Sequence, residues 1–178
     1  METLGKCLSK LSNKTSKPLG SILDIQTGKL DANEADENGL YPFFTCSDIN
    51  LFINKYAFNC EAILVSGNGS RLGYINYFKG KFNAYQRTYV LTGKKYFYIC
   101  YFQLLDRIKE ITSQASGSAI PYLTKPMFDN FHIFISGDDS CDENTNTKLG
   151  QLLAAIHSKS EMNKKLLDIK QKLLIKYF

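Results

Sequence analysis

Residues 66–73 read SGNGSRLG, and residues 84–88 read AYQRT. The side chains in these two stretches suit one kind of chemistry. Asn68 and Gln86 carry amides that donate and accept together; Arg71 and Arg87 carry planar forks of N–H donors; Ser70 and Tyr85 carry hydroxyls. An arginine fork fits the guanine edge, Asn or Gln fits the adenine edge, and Lys or Ser can hold phosphate oxygens. Lys79 and Lys81 stand between the two stretches and add cations. The candidate DNA-contacting set is therefore Asn68, Ser70, Arg71, Lys79, Lys81, Tyr85, Gln86 and Arg87. For each of them an ordinary solvated turn is the competing reading.

A glycine loop can instead cradle the phosphates of a cofactor. That site needs a strand, the glycine turn, and then a helix whose free N–H groups face the pyrophosphate. Here Gly67, Gly69 and Gly73 run into YINYFKG, which has no helical stripe, and no G-x-x-x-x-G-K-[ST] motif is present. The glycines read better as a hairpin turn that allows positive φ and close backbone approach. No nucleophile has a placed histidine, and neither H-E-x-x-H nor G-x-S-x-G occurs. No residue is assigned as catalytic, and the chain is expected to be no enzyme. Cys7, Cys46, Cys60, Cys100 and Cys141 are odd in number and form no CxxC pair, and the histidines are only His132 and His157. Free thiols in a reducing cytoplasm are expected, with no zinc and no disulfide framework.

Charge is distributed unevenly. Residues 148–178 hold seven lysines against Glu161 and Asp168, so they carry the whole net excess of +5. In the remaining, balanced body, no acid occurs between Glu61 and Asp106, whereas Arg71, Lys79, Lys81, Arg87, Lys94 and Lys95 do. A neutral body with one basic segment makes the local positive surface that a polyanion needs. At 178 residues and 44% hydrophobic the chain builds a real core. It has no apolar run long enough to span a membrane and no apolar leader at its start.

The elements that must position these side chains follow from periodicity. LYPFFT, residues 57–65, GYINYF and RTYVLT read as strands, with SGNGSRLG and KGKFN as the turns between the later ones. In KKYFYICYFQLLDRIKEIT, Phe97, Cys100, Tyr101, Leu104, Leu105, Ile108 and Ile111 recur at spacings of three and four, a helical stripe. Thr124 and Pro126 suit the start of a short helix. FHIFI is a last strand and SGDDSCDENTNT a polar linker. From Thr147 onward the sequence reads as one long helix. A seven-residue grid places Leu149, Ile156, Asn163, Lys170 and Tyr177 on one row, and Leu153, Ser160, Leu167 and Leu174 on the next. The expected dimer interface is Leu149, Leu153, Ile156, Asn163, Leu167 and Leu174, with Asn163 able to fix register; an amphipathic helix lying back on the body is the competing reading.

Taken together, PLGSILDIQTGK, YPFFTCSDI, AILVSGNGSRLGYI, GSAIPYLTKPMFDNFHIFI and the terminal LGQLLAAIHSKSEMNKKLLDIKQKLLIKYF resemble the DNA-specificity (S) subunit of type I restriction–modification systems. The resemblance runs from about Pro18 to Phe178, and the closing Leu173, Leu174 and Phe178 match its terminal L-L-x-x-x-F. FHIFISGDD lacks the proline often found before the helix. The resemblance implies an α+β fold: a twisted, mainly antiparallel target recognition domain over 1–144, then a conserved-region helix over 145–178 that forms an antiparallel coiled coil. A complete member carries two recognition domains and two helices; this chain has one of each. A homodimer would restore the pair and read a palindromic, bipartite site in double-stranded DNA. The family also implies partners. Modification subunits bring S-adenosylmethionine and methylate adenine, restriction subunits bring ATP-driven cleavage, and this chain holds no cofactor itself. A coiled-coil interaction module, or a truncated decoy without productive DNA recognition, is the alternative.

Overall fold

The computed structural model describes residues 15–47, 49, 51–93, 95–117 and 120–177. Cys7, Lys94, Phe178 and the side chain of Tyr177 lie outside the described residues. The order is β1 (Thr15–Pro18), β2 (Asp24–Thr27), β3 (Tyr41–Phe44), β4 (Leu51–Ile53), β5 (Phe58–Ser66), β6 (Ile75–Ala84), β7 (Thr88–Thr92), α1 (Phe97–Thr112), α2 (Lys125–Asp129), β8 (His132–Ile135) and α3 (Asp139–Tyr177). Six strands form one sheet in the order β2-β7-β5-β6-β3-β4, and β1 pairs with β8 apart from it. The strand pairings are antiparallel except for a short parallel contact of β3 with β6. This is the α+β, mainly antiparallel architecture expected from the sequence.

The β5–β6 hairpin shapes the rest. KGKFN reads as a turn, but β6 runs unbroken through it and pairs with β5 from Val65↔Ile75 to Phe58↔Phe82. Gly80 bends the strand instead of ending it: its φ is +136°, a conformation that strongly favours a residue without Cβ. Phe82 just beyond it is buried, which rewards continuing the strand. β7 then starts opposite Ser66, at the far end of β5. The nine residues of β5 span about 26 Å, whereas the link from Ala84 to Thr88 reaches about 14 Å at most. The hairpin must therefore curl. Inside the curl sit Ala62, Leu64, Phe82, Ala84 and Val90, with Phe44, Phe58 and Phe78 packed around them.

The opposite sheet face carries Ile25, Ile63, Val65, Tyr89 and Leu91, and α1 shares this larger core through Phe97, Cys100, Leu104 and Ile111. Burial there pushes the Cys100 thiol well above its ordinary pKa. Gln103 of α1 is fully buried. Its Nε2 donates to the Phe134 carbonyl at 2.6 Å and its Oε1 accepts from Phe134 N at 3.0 Å, so a helix side chain satisfies an edge of β8.

The polar stretch expected as a linker is the start of α3, which begins at Asp139 rather than near residue 147. Its polar groups are spent on caps. Asp138 Oδ1 accepts from Ser140 N and Cys141 N. Asp142 Oδ1 accepts from Ser136 N at 2.9 Å. Asn146 Oδ1 accepts from Tyr98 N (2.9 Å) and Ile99 N (3.2 Å), so it caps α1 from another helix. Tyr96 donates to Asp139 at 2.5 Å, which Lys95 also reaches at 3.1 Å. Gly150 lets the Tyr98 ring lie against the helix backbone. The Tyr98 hydroxyl donates to Glu61 Oε1 at 2.7 Å, as does Tyr77 at 2.5 Å, and His157 stands over the Tyr77 ring at 5.0 Å.

Two residues expected on a dimer seam are corrected by this joint. Leu149 and Leu153 are buried, 5% and 2% exposed, in the chain's own core. From Ala154 to Ile175 the helix is exposed. All of α3 has 39 residues, about 58 Å at 1.5 Å per residue.

Candidate nucleic-acid interface

The curl of the hairpin brings the two sequence clusters together at one end of the sheet. Gly67 is the node. Its N–H donates to the Arg87 carbonyl at 2.8 Å, and its carbonyl accepts from Leu123 N at 2.7 Å. A Cβ at this position would collide with the Arg87 carbonyl oxygen and stand 2.8 Å from Tyr89 Cε2. Only glycine allows the turn after β5, the turn before β7 and the 113–124 connector to close on one point.

Each loop is fixed by its own backbone. After β5, Gly73 N donates to Ser66 O at 2.8 Å and Tyr74 N to Arg71 O at 2.8 Å, with Gly69 and Gly73 at positive φ. The segment after β3 joins through Phe44 O, which accepts from Tyr85 N at 2.9 Å and from Thr88 Oγ1 at 3.0 Å. In the connector, Ser116 and Tyr122 exchange backbone hydrogen bonds, and Tyr122 also bridges Asn68. Tyr89 anchors the connector from below, its hydroxyl donating to Leu123 O at 2.9 Å; burial raises its pKa.

On this rigid base, Ser70, Gln86 and Arg87 are exposed, and Asn68, Arg71 and Tyr85 half-buried. The Arg71 guanidinium lies 3.3 Å from the Tyr74 ring centroid, and that of Arg87 5.8 Å from the Tyr122 centroid. Aromatic faces flank both forks and help to orient them. The structure thus gathers six of the eight expected residues. Lys79 and Lys81 stand apart, exposed on β6 opposite Glu61 and Asn59, with Lys81 over the Tyr56 ring at 4.8 Å. Tyr74 and Tyr122 belong to the site although the sequence does not single them out, because nothing in the connector signals that Leu123 docks on Gly67. Among the described residues no His, Cys, Asp and Glu side chains group as a metal site.

The arrangement presents amide, guanidinium and hydroxyl groups on hydrogen-bonded turns, and among the described residues no nucleophile–base pair is assembled beside them. Such groups on a basic, acid-free run have the chemistry that suits an anionic partner. A second exposed surface lies on distal α3. Met162, Leu166, Ile169 and Leu173, spaced four, three and four apart, are 59%, 57%, 52% and 51% exposed. They lie beside the expected Ile156, Leu167 and Leu174, which are exposed as well. Asn163 is also exposed. Among the described residues no helix is long and apolar enough to cross a membrane.

The sequence model described as the type I restriction modification DNA specificity domain matches residues 12–171. The type I restriction enzyme EcoDI specificity subunit of Escherichia coli is 49% identical over 110 residues, which is 60% of this chain and 24% of that protein. The S subunit of a type I restriction–modification system from M. genitalium superimposes with a TM-score of 0.68 at 21% identity, over 88% of this chain and 44% of that one. The HsdS subunit from Thermoanaerobacter tengcongensis does so with a TM-score of 0.55 at 14% identity, over 88% and 44%. At such identities these two likenesses show the fold alone. The chain spans about a quarter of the curated relative and less than half of each solved subunit.

Proposed function

This chain belongs to the type I restriction modification DNA specificity domain family, and from that premise we propose that it reads a DNA sequence through the loops gathered at Gly67. The observation that carries the reading is the closure of two basic, amide-bearing turns on one glycine, Gly67 N to Arg87 O at 2.8 Å. Asn68, Gln86 and Arg87 have the chemistry of base readout, and Ser70 and Tyr85 that of phosphate contacts. Lys79 and Lys81 would add long-range attraction.

The chain performs no chemistry in this reading. Methylation with S-adenosylmethionine and ATP-driven cleavage belong to modification and restriction subunits with which it assembles in the cytoplasm. One solved relative, at a TM-score of 0.62, comes from work on complex assembly of the type I system. The exposed apolar face of α3 supports pairing with an antiparallel helix, here from a second copy. Two copies would present two loop clusters related by a two-fold axis, and the target would be a gapped palindrome.

Selection from a random duplex library tests this, with the chain alone and with a cognate modification subunit. A gapped palindrome is expected. A single ungapped motif refutes the two-fold dimer and retains the reading of DNA. No enrichment in either format refutes DNA reading and favours a protein-interaction module or decoy. Leu166→Glu with Ile169→Glu is expected to yield monomers by light scattering; an unchanged mass argues against pairing through this face.

A further inference from the structure

The connector between α1 and α2 brings an apolar tip to the recognition end. Ser116 and Tyr122 exchange backbone hydrogen bonds at 3.0 and 2.8 Å. A Cβ on Gly117 would stand 2.6 Å from the Ile120 carbonyl oxygen, so the tip is narrow. It is docked among the reading loops at three points: Leu123 N donates to Gly67 O at 2.7 Å, Tyr122 bridges Asn68, and the Arg87 guanidinium lies 5.8 Å from the Tyr122 ring centroid. Ile120 stands two residues from Tyr122 and is 65% exposed, and Pro121 between them is exposed as well. A single exposed isoleucine is ordinary on a protein surface. Ile120 is set apart by its place, on a tip anchored between Asn68 of one turn and Arg87 of the other.

We propose that Ile120 is a specificity-determining residue, which makes an apolar contact with the 5-methyl group of one thymine in the sequence this chain reads. The inference rests on the DNA-reading function and deepens it. Asn68, Gln86 and Arg87 suit the base edges of the major groove, where every base pair presents a distinct hydrogen-bonding pattern. The apolar group that base pairs present there is the thymine methyl. An aliphatic side chain carried beside those three residues has that methyl as its complement, and burying the two against each other is favourable. Cytosine at the same place lacks the methyl and gains nothing from Ile120. The connector thereby becomes a third reading loop, one that works by shape where the other two work by hydrogen bonds. Insertion between base steps from the minor groove is another use of an exposed aliphatic tip. The amide and guanidinium groups alongside Ile120 favour the major groove instead.

The test is exchange of thymine for uracil in a selected duplex, one position at a time, with affinity read by fluorescence anisotropy. Uracil keeps the pairing edge and removes only the methyl. Wild type is expected to lose about fourfold in affinity at one position, the worth of one buried methyl. Ile120→Ala is expected to bind the thymine and uracil duplexes equally at that position, and Ile120→Val to keep most of the difference. Leu40→Ala, which trims a 75% exposed side chain just before β3, is expected to keep all of it. A wild type that selects its site yet ignores every exchange overturns the inference, as does a selected site without thymine. So does an Ile120→Ala variant that keeps the fourfold difference, or one that weakens all duplexes alike and so marks a wedge or a contact without sequence content. In each of these cases the DNA-reading function stands. Failure of the wild-type chain to bind any duplex removes the function and the inference together.

Discussion

Gly150→Ala tests whether α3 is fixed rigidly to the body. A Cβ on Gly150 would stand 2.5 Å from Tyr98 Cε2 and 2.9 Å from Cδ2 and Cζ. Carbon–carbon contact is comfortable from about 3.5 Å, so ring or helix must yield by about 1 Å. The ring is tethered: its hydroxyl donates to Glu61 and its backbone N–H to Asn146. Breaking the hydroxyl bond costs about 1 kcal/mol, and overpacking typically costs about 1–3 kcal/mol. Against this, Ala favours the helix over Gly by about 1 kcal/mol. The net expectation is a loss of about 1–3 kcal/mol, or about 3–9 °C in Tm for a domain of this size. If the helix yields instead, the lever is long. From Asp139 to Gly150 is about 16 Å, so a 1 Å shift tilts the axis by about 4°, and Tyr177, about 40 Å further on, moves by more than 2 Å. The assay is calorimetric unfolding of Gly150→Ala beside Gln151→Ala, an exposed helical site. A midpoint that rises in Gly150→Ala as at a free helical position would refute the close packing from which the rigid joint is inferred.

Three further perturbations probe the same contacts. Gly67→Ala should lower stability by about 1–3 kcal/mol and cut discrimination between selected and unrelated duplexes at least tenfold, whereas Ser70→Ala should spare stability; unchanged unfolding and selectivity in Gly67→Ala would remove Gly67 as the node. Asn146→Ala strips two acceptor bonds from the start of α1 and should cost about 1–2 kcal/mol, as caps do, with exposed Asn144→Ala silent; urea unfolding measures both. Burial, then the bond to Glu61, pushes the Tyr98 phenol up to about 12 from 10.0, and Tyr77 is raised by the same causes. A folded pKa above the unfolded one gives stability that is complete below about pH 10 and lost as pH rises towards 12. The Tm should therefore fall across that window, less steeply in Tyr98→Phe; parallel curves would show that the phenol is not linked to folding.

The strands were legible wherever a β-branched or aromatic run met a glycine turn, and α1 wherever apolar residues kept the helical period. Two local signals misled. KGKFN has the composition of a turn, yet the buried Phe82 carries the strand through it and Gly80 only bends it. SGDDSCDENTNT has the composition of a linker, yet Asp138, Asp142 and Asn146 use their side chains to cap backbone in three places. In both cases the deciding partner is distant in sequence. The same holds at the site. Asn68, Arg71, Gln86 and Arg87 are recognisable by type, but their convergence depends on the curl of β6, which no period in the sequence encodes. Tyr122 arrives on a connector docked by partners distant in sequence, Leu123 N on Gly67 O and the Tyr89 hydroxyl on Leu123 O.

The seven-residue grid on α3 treated the helix as one surface, and the structure divides it in two. Up to Leu153 the body-facing row is apolar and buried, which welds the helix to α1. Beyond it the same row continues as His157, Ser160 and Lys164, residues that cannot form a dry contact with the sheet. The apolar stripe meanwhile moves round to Met162, Leu166, Ile169 and Leu173. A helix meant to fold back on its own domain would keep one stripe along its length. Here the stripe turns away from the body beyond Leu153, so burial of the first half fixes the direction in which the second half offers its apolar face. Four exposed aliphatic side chains in an a/d spacing form a seam that a second helix can fill. Because Gly150 and Asn146 hold that seam at an angle to the loops at Gly67, in the proposed dimer the distance between two loop clusters would depend on the joint as much as on helix length.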